Sequence, residues 1–164
     1  MVVYLFNFNT CQDLALLEIG DQQCSPLYAF GPNIRNEYIF HYVVSGKGVV
    51  MLQPSGEKGQ NILSETIEVK AGEGFLIEPH TAHMYRADEN DPWHYIWIVF
   101  TGLSVPSYLR ACGLTRNNPV FYPQSYAHAV SSRVREPLRQ ILGHPDASKA
   151  FIIGQLHLFF DGLM

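Results

Sequence analysis

Trp93-His94-Tyr95-Ile96-Trp97-Ile98-Val99-Phe100 is apolar on both sides of an extended chain: Trp93, Tyr95, Trp97 and Val99 alternate with His94, Ile96, Ile98 and Phe100. Tyr38-Ile39-Phe40-His41-Tyr42-Val43-Val44 repeats the pattern. An antiparallel sheet with one wet face alternates apolar with polar residues, and neither run does so. One face of each strand is therefore expected to line a barrel interior, and the other to lie under a roof supplied by the rest of the chain.

Outward from these two runs, Leu14 to Ile19, Gly48 to Gln53, Glu65 to Val69 and Gly74 to Ile77 are further strand-like segments. Ser45-Gly46-Lys47-Gly48, Pro54-Ser55-Gly56, Ala71-Gly72-Glu73-Gly74, Glu78-Pro79 and Asp91-Pro92 supply the reversals between them. Many short strands with frequent turns predict a β-sandwich or barrel.

Beyond Thr101 the texture changes. Ser104 to Gly113 has a polar start, an early Pro106 and a terminal glycine, as a short helix should. After a loop through Asn117, Asn118, Pro119 and Pro123, the residues Ala127, Val130, Val134, Leu138 and Ile141 form one helical stripe. Pro137 is expected to kink or split that helix, and Gly143-His144-Pro145 to end it. The last stretch opens with Asp146 as the expected cap and is apolar nearly all round, through Phe151, Ile152, Leu156, Phe159 and Phe160. Such a helix must be buried on both sides. It caps the barrel, and its surplus of apolar faces also predicts a helix–helix dimer interface.

Composition narrows the function classes. The 164 residues carry 11 Lys+Arg against 15 Asp+Glu, a net charge of −4, which excludes a basic module that coats nucleic acid. Hydrophobic residues make up 47% of the chain, ample for one buried core. No apolar run is long enough to cross a bilayer, and Met1 to Phe6 has neither a basic leader nor a cleavage site, so a cytoplasmic location is expected. Cys11, Cys24 and Cys112 are odd in number and widely spaced, which indicates neither a disulfide framework nor a zinc cluster.

Seven histidines in a β-rich chain raise the question of a metal site, but no two are spaced H-x-H. His80 and His83 follow Pro79 in an expected turn, with His83 read as a turn or pocket hydrogen-bonder. No bound metal, cofactor or catalytic residue is expected. There is no G-x-S-x-G elbow, and Gly46-Lys47-Gly48 reads as a hairpin turn, not a phosphate loop. What remains is the aromatic face of Trp93, Tyr95 and Trp97, expected near His83 and Tyr85. Indole and phenol rings stack on the C–H faces of a sugar while their polar tips bond its hydroxyls.

Three motifs carry a family resemblance. They are Phe30-Gly31-Pro32 through Arg35, Tyr38, His41 and Tyr42 to Gly46-Lys47-Gly48; Gly72-Glu73-Gly74-Phe75-Leu76-Ile77-Glu78-Pro79 with Tyr85; and Ala87-Asp88 through Pro92-Trp93, Tyr95 and Trp97 to Phe100-Thr101-Gly102. In this order and spacing, over roughly residues 12 to 102, they resemble the N-terminal domain of AraC-type transcription regulators, in the branch controlling raffinose, melibiose and multiple-sugar use.

The resemblance implies a mainly β, cupin-like double-stranded β-helix barrel, or jelly roll, that holds a small effector without a catalytic metal and is followed by C-terminal dimerisation helices. On this chain it implies an N-terminal arm over 1–12, an effector-binding barrel over 13–102 and a helical dimerisation segment over 103–164. In the arabinose-responsive relative the effector is held by an aromatic and a histidine–tryptophan pair at positions matching Tyr85, Tyr95 and Trp97. An arginine of that site matches Gly31, so Arg35 is the candidate substitute donor, and Tyr95 in place of histidine argues against arabinose itself. The candidate ligand-binding set is Tyr85, Tyr95, Trp97, Trp93, Arg35, His41 and His83.

The implied partners are a small-molecule effector, a sugar such as an α-galactoside, and a second copy of the chain. The family reads DNA through a helix-turn-helix domain that does not follow Met164, so DNA contact is expected only through that absent part. Val2 to Phe8 is expected either to fold over the effector, as the family's arm does, or to form an edge strand. The alternative to a regulatory domain is a metal-dependent cupin enzyme acting on a small sugar or related substrate.

Overall fold

A computed structural model describes residues 1–7, 13–53, 66–123 and 128–164, the side chains of 128–132 excepted. Cys11, Glu65, the turn at Pro54 and the side chains of Ala127 and Val130 lie outside the described residues. The strands are β1 (Val2–Leu5), β2 (Ala15–Gln23), β3 (Ala29–Asn33), β4 (Tyr38–Ser45), β5 (Lys47–Leu52), β6 (Ile67–Lys70), β7 (Gly74–Ile77), β8 (His83–Ala87), β9 (His94–Thr101) and β10 (Val120–Phe121). The helices are α1 (Val105–Ala111), α2 (His128–Gly143) and α3 (Lys149–Leu163).

The strands make two antiparallel sheets, one ordered β1-β2-β9-β4-β7-β10 and the other β3-β8-β5-β6. The two doubly apolar strands, β4 and β9, lie side by side in the larger sheet, His41 opposite Trp97 and Tyr42 opposite Ile96. Their alternation divides the core in two. Ile39, Val43, Tyr95 and Val99 face the smaller sheet, in a cluster with Val50, Val69, Phe75 and Tyr85. Phe40, Tyr42, Ile96, Ile98 and Phe100 face the other way, onto Val134, Leu138 and Ile141 of α2 and Ile152, Leu156, Phe159 and Phe160 of α3. The larger sheet is thus covered on both faces, as the apolar character of β4 and β9 requires.

The hairpin from β4 to β5 turns at Gly46, at a φ of 70°, where an added Cβ would stand 2.6 Å from the Pro92 carbonyl oxygen. Gly20 on β2 serves a different purpose. The indole of Trp97 lies so close over it that a Cβ would overlap the ring.

Several elements depart from the sequence-based expectation. The final helix is capped by Ser148, not Asp146: the Ser148 backbone is extended, and its hydroxyl accepts from the Phe151 amide at 3.2 Å. Pro137 does not split α2, which runs unbroken to Gly143. A proline inside a helix removes one amide donor, here the one that would bond the Arg133 carbonyl. That carbonyl lies against Gly162 of α3, whose lack of a side chain lets the two helices close there.

Residues beyond 102 also enter the barrel, because β10 pairs with β7. At the other end β1 pairs with β2 from Val2 opposite Asp21 to Leu5 opposite Glu18, so these residues form an edge strand. The apolar surplus of α3 is largely absorbed within the chain, by the sheet on one side and α2 on the other, with Leu158 left 52% exposed. Among the described residues no helix is long and apolar enough to cross a membrane.

Candidate functional site

Between the two sheets a cavity of about 130 Å³ opens to solvent beside Met1. Six of the seven residues expected to bind ligand line it: Arg35, His41, His83, Tyr85, Tyr95 and Trp97. The seventh, Trp93, does not. It is fully buried behind the cavity, its ring edge-on to Tyr95 at 5.8 Å, stacked at 6.0 Å on Phe75 and pressed against Gly48. A strand's interior face runs past the cavity's end, and the first ring of the Trp93-Tyr95-Trp97 series falls in the packed part.

Strand β9 brings Tyr95 and Trp97 to the same wall, their rings edge-to-face at 5.8 Å. The Trp97 indole is fixed from both sides: Gly20 receives its face, and its Nε1 donates to Glu18 Oε1 at 2.6 Å. The second oxygen of Glu18 accepts from Arg35 Nη2 at 3.1 Å, and Glu37 lies 3.9 Å from Arg35 Nε. Next along β2, Gln22 accepts from the Tyr95 hydroxyl at 3.4 Å. The result is an aromatic platform with a fringe of carboxylate, guanidinium and amide, which suits a ligand with apolar faces and hydroxylated edges.

The far wall comes from β8 and β3. Tyr85 stacks on Phe30 at 5.1 Å, and His83 lies parallel to Tyr85 at 6.5 Å. His83 Nδ1 donates to the Thr81 carbonyl at 3.0 Å, because a carbonyl can only accept, and this leaves Nε2 as the acceptor. At the floor His41 stacks on Phe75 at 4.5 Å and meets the edges of Tyr85 and Tyr95 at 4.9 and 5.1 Å.

Burial sets the charge of these groups. It drives His41 down to about 3, with His83 adding repulsion, and lowers His83 against the opposing hydrogen bond to Thr81. Burial likewise raises the Tyr85 and Tyr95 hydroxyls, so at neutral pH these four side chains are uncharged. Among the described residues no three His, Cys, Asp or Glu side chains are grouped to hold a metal ion.

Sequence reasoning missed Glu18 and Gln22. The signal was present, since Glu18, Gly20 and Gln22 alternate with Ile19 and Asp21. It was obscured by a bulge between Leu16 and Glu18, which shifts the phase so that Leu16 pairs with Phe100 but Glu18 with Val99. Phe30, which also lines the cavity, sits in a short strand interrupted by Gly31-Pro32 that carried no strand pattern.

The Msm operon regulatory protein of Streptococcus mutans is 32% identical over 102 residues, 62% of this chain and 33% of that protein. The raffinose operon transcriptional regulatory protein RafR of Pediococcus pentosaceus is 33% identical over 87 residues, covering 52% and 28%. The lactose operon transcription activator of Staphylococcus xylosus is 27% identical over 81 residues, covering 49% and 29%. The matched part spans about a third of the length of each of these relatives. Among solved structures, the cupin domain of CENP-C from Drosophila melanogaster overlays with a TM-score of 0.42 at 13% identity, over 51% of this chain and 56% of that one. The model of the AraC-like ligand binding domain matches residues 17–159, nearly the whole described fold, and the chain belongs to that family.

Proposed function

We propose that this chain is the regulatory domain of a sugar-responsive transcription regulator, and that its effector is a sugar held in the barrel cavity. The observation that carries the reading is the Trp97–Tyr95 platform, fixed by Glu18 and Gly20 and ringed by hydrogen-bonding groups inside an otherwise packed barrel. The relatives support it, since they are named as regulators of the Msm, raffinose and lactose operons. On this reading the chain is not an enzyme and acts in the cytoplasm. DNA is contacted by helix-turn-helix units outside this chain, and two copies pair through the outer side of α2 and α3, where Leu158 is exposed.

A sugar changes the output only if it binds two states of the dimer unequally. The test is a thermal-shift panel of mono-, di- and trisaccharides centred on α-galactosides, in chelator-treated protein. One sugar should raise Tm saturably, as RT ln(1 + [L]/Kd). No response to any sugar, with stabilisation on adding a divalent metal, would favour a metal-dependent cupin enzyme instead.

A further inference from the structure

His41 is 2% exposed, lines the cavity, and its Nδ1 has no hydrogen-bond partner among the described residues. Nearly all buried polar atoms are paired, and an unpaired one in the wall of a cavity points to a group supplied from within that cavity. His83 adds an acceptor, Nε2, on the β8 side.

Charge narrows the class further. Arg35 is the one cationic side chain lining the cavity among the described residues, and Glu18 at 3.1 Å and Glu37 at 3.9 Å already neutralise it. Both imidazoles are held neutral by burial. An anionic group would therefore meet the Glu18 carboxylate as well as Met1, which carries the terminal ammonium, at the mouth and find no free cation further in, a costly position for a desolvated charge. The volume, about 130 Å³, is close to the roughly 150 Å³ of a cavity that takes one benzene ring. A pyranose has twice the heavy atoms of benzene, so the cavity admits at most one ring, seated partly in the open mouth, and further units would leave past Arg35 and Met1.

We infer that the cavity takes the single terminal ring of an uncharged sugar, that a ring hydroxyl pairs with His41, and that it rejects the phosphorylated or uronic acid form of the same ring. This rests on the sugar-sensing reading above.

The experiment titrates the protein with matched sets: methyl α-galactoside and raffinose as neutral probes, galactose 6-phosphate and galacturonate as acidic ones, with the glucose counterparts as a second series. A neutral member should bind at least tenfold more tightly than its acidic partners. An acidic member that binds as tightly overturns this inference and leaves sugar sensing standing. Silence from every neutral and acidic member overturns both.

His41→Phe separates anchoring from packing. It keeps the ring on Phe75 and removes the nitrogens. The ligand-free variant should have an equal or higher Tm, because an unpaired buried polar atom is gone, and it should bind the best neutral probe at least tenfold more weakly. A lower Tm with unchanged affinity would make His41 a structural residue and overturn its assignment.

Discussion

On the proposed function, Trp97 is a side chain prepared for binding before any ligand arrives. Its hydrogen bond to Glu18 and its seat on Gly20 hold one rotamer, so the ordering cost on binding is small. Trp97→Ala should weaken sugar binding by more than about 1.4 kcal/mol, tenfold, in a calorimetric titration. The chain has two tryptophans. Trp93 is sealed in the core, so the ligand-induced fluorescence change should vanish in Trp97→Phe; if it persists, Trp97 is outside the site. The histidines bear on stability. Folded His41 is lowered to about 3, against an ordinary value near 6.5 in the unfolded chain. Between those values the unfolded state holds a proton that the native state lacks. Stability attributable to His41 is therefore complete above pH 6.5 and falls by about 1.4 kcal/mol per pH unit below it. Denaturant melts from pH 7.5 to 5 should show that decline, and His41→Phe should make it shallower.

At the scale of elements, the α2–α3 pair is the part where local rules and tertiary structure meet most directly. Pro137 reads as a helix breaker, yet the carbonyl it strands is where Gly162 lets α3 close in. Gly162→Val should collide with Arg133 and cost about 1–3 kcal/mol. Gly154, on the exposed side of the same helix, meets open space, so Gly154→Ala should stabilise by about 0.5–1 kcal/mol. Opposite shifts in Tm would confirm the packing; equal shifts would remove Gly162 from the helix contact. The same scale shows what was hidden. The bulge at Leu16/Glu18 leaves no mark on hydropathy, so the interior phase of β2, and with it Glu18 and Gln22, was not legible, whereas the unbroken alternation of β9 was.

Across the whole molecule, the helices are as much a part of the core as the strands are. Ile152, Leu156, Phe159 and Phe160 are buried beneath the larger sheet, so a chain ended before Asp146 should be insoluble or aggregated. A separate test of pairing is Leu158→Arg, which changes an exposed residue: sedimentation should report a dimer for the parent chain and a monomer for the variant. A dimer in both would move the interface elsewhere. The barrel, its helical roof and the aromatic face of β9 were all determined by the sequence alone, because period-two alternation, turn residues and helical spacing are local properties of the chain. So was the resemblance that pointed to Tyr85, Tyr95 and Trp97. Only the tertiary structure decided that Trp93 is core, that Glu18 holds both Trp97 and Arg35, and that His41 Nδ1 has no partner among the described residues at the cavity floor. These depend on which residues of different strands come to face one another, and register, bulges and the meeting of two sheets set that across distances of 17 to 79 residues, as between Glu18 and its partners Arg35 and Trp97.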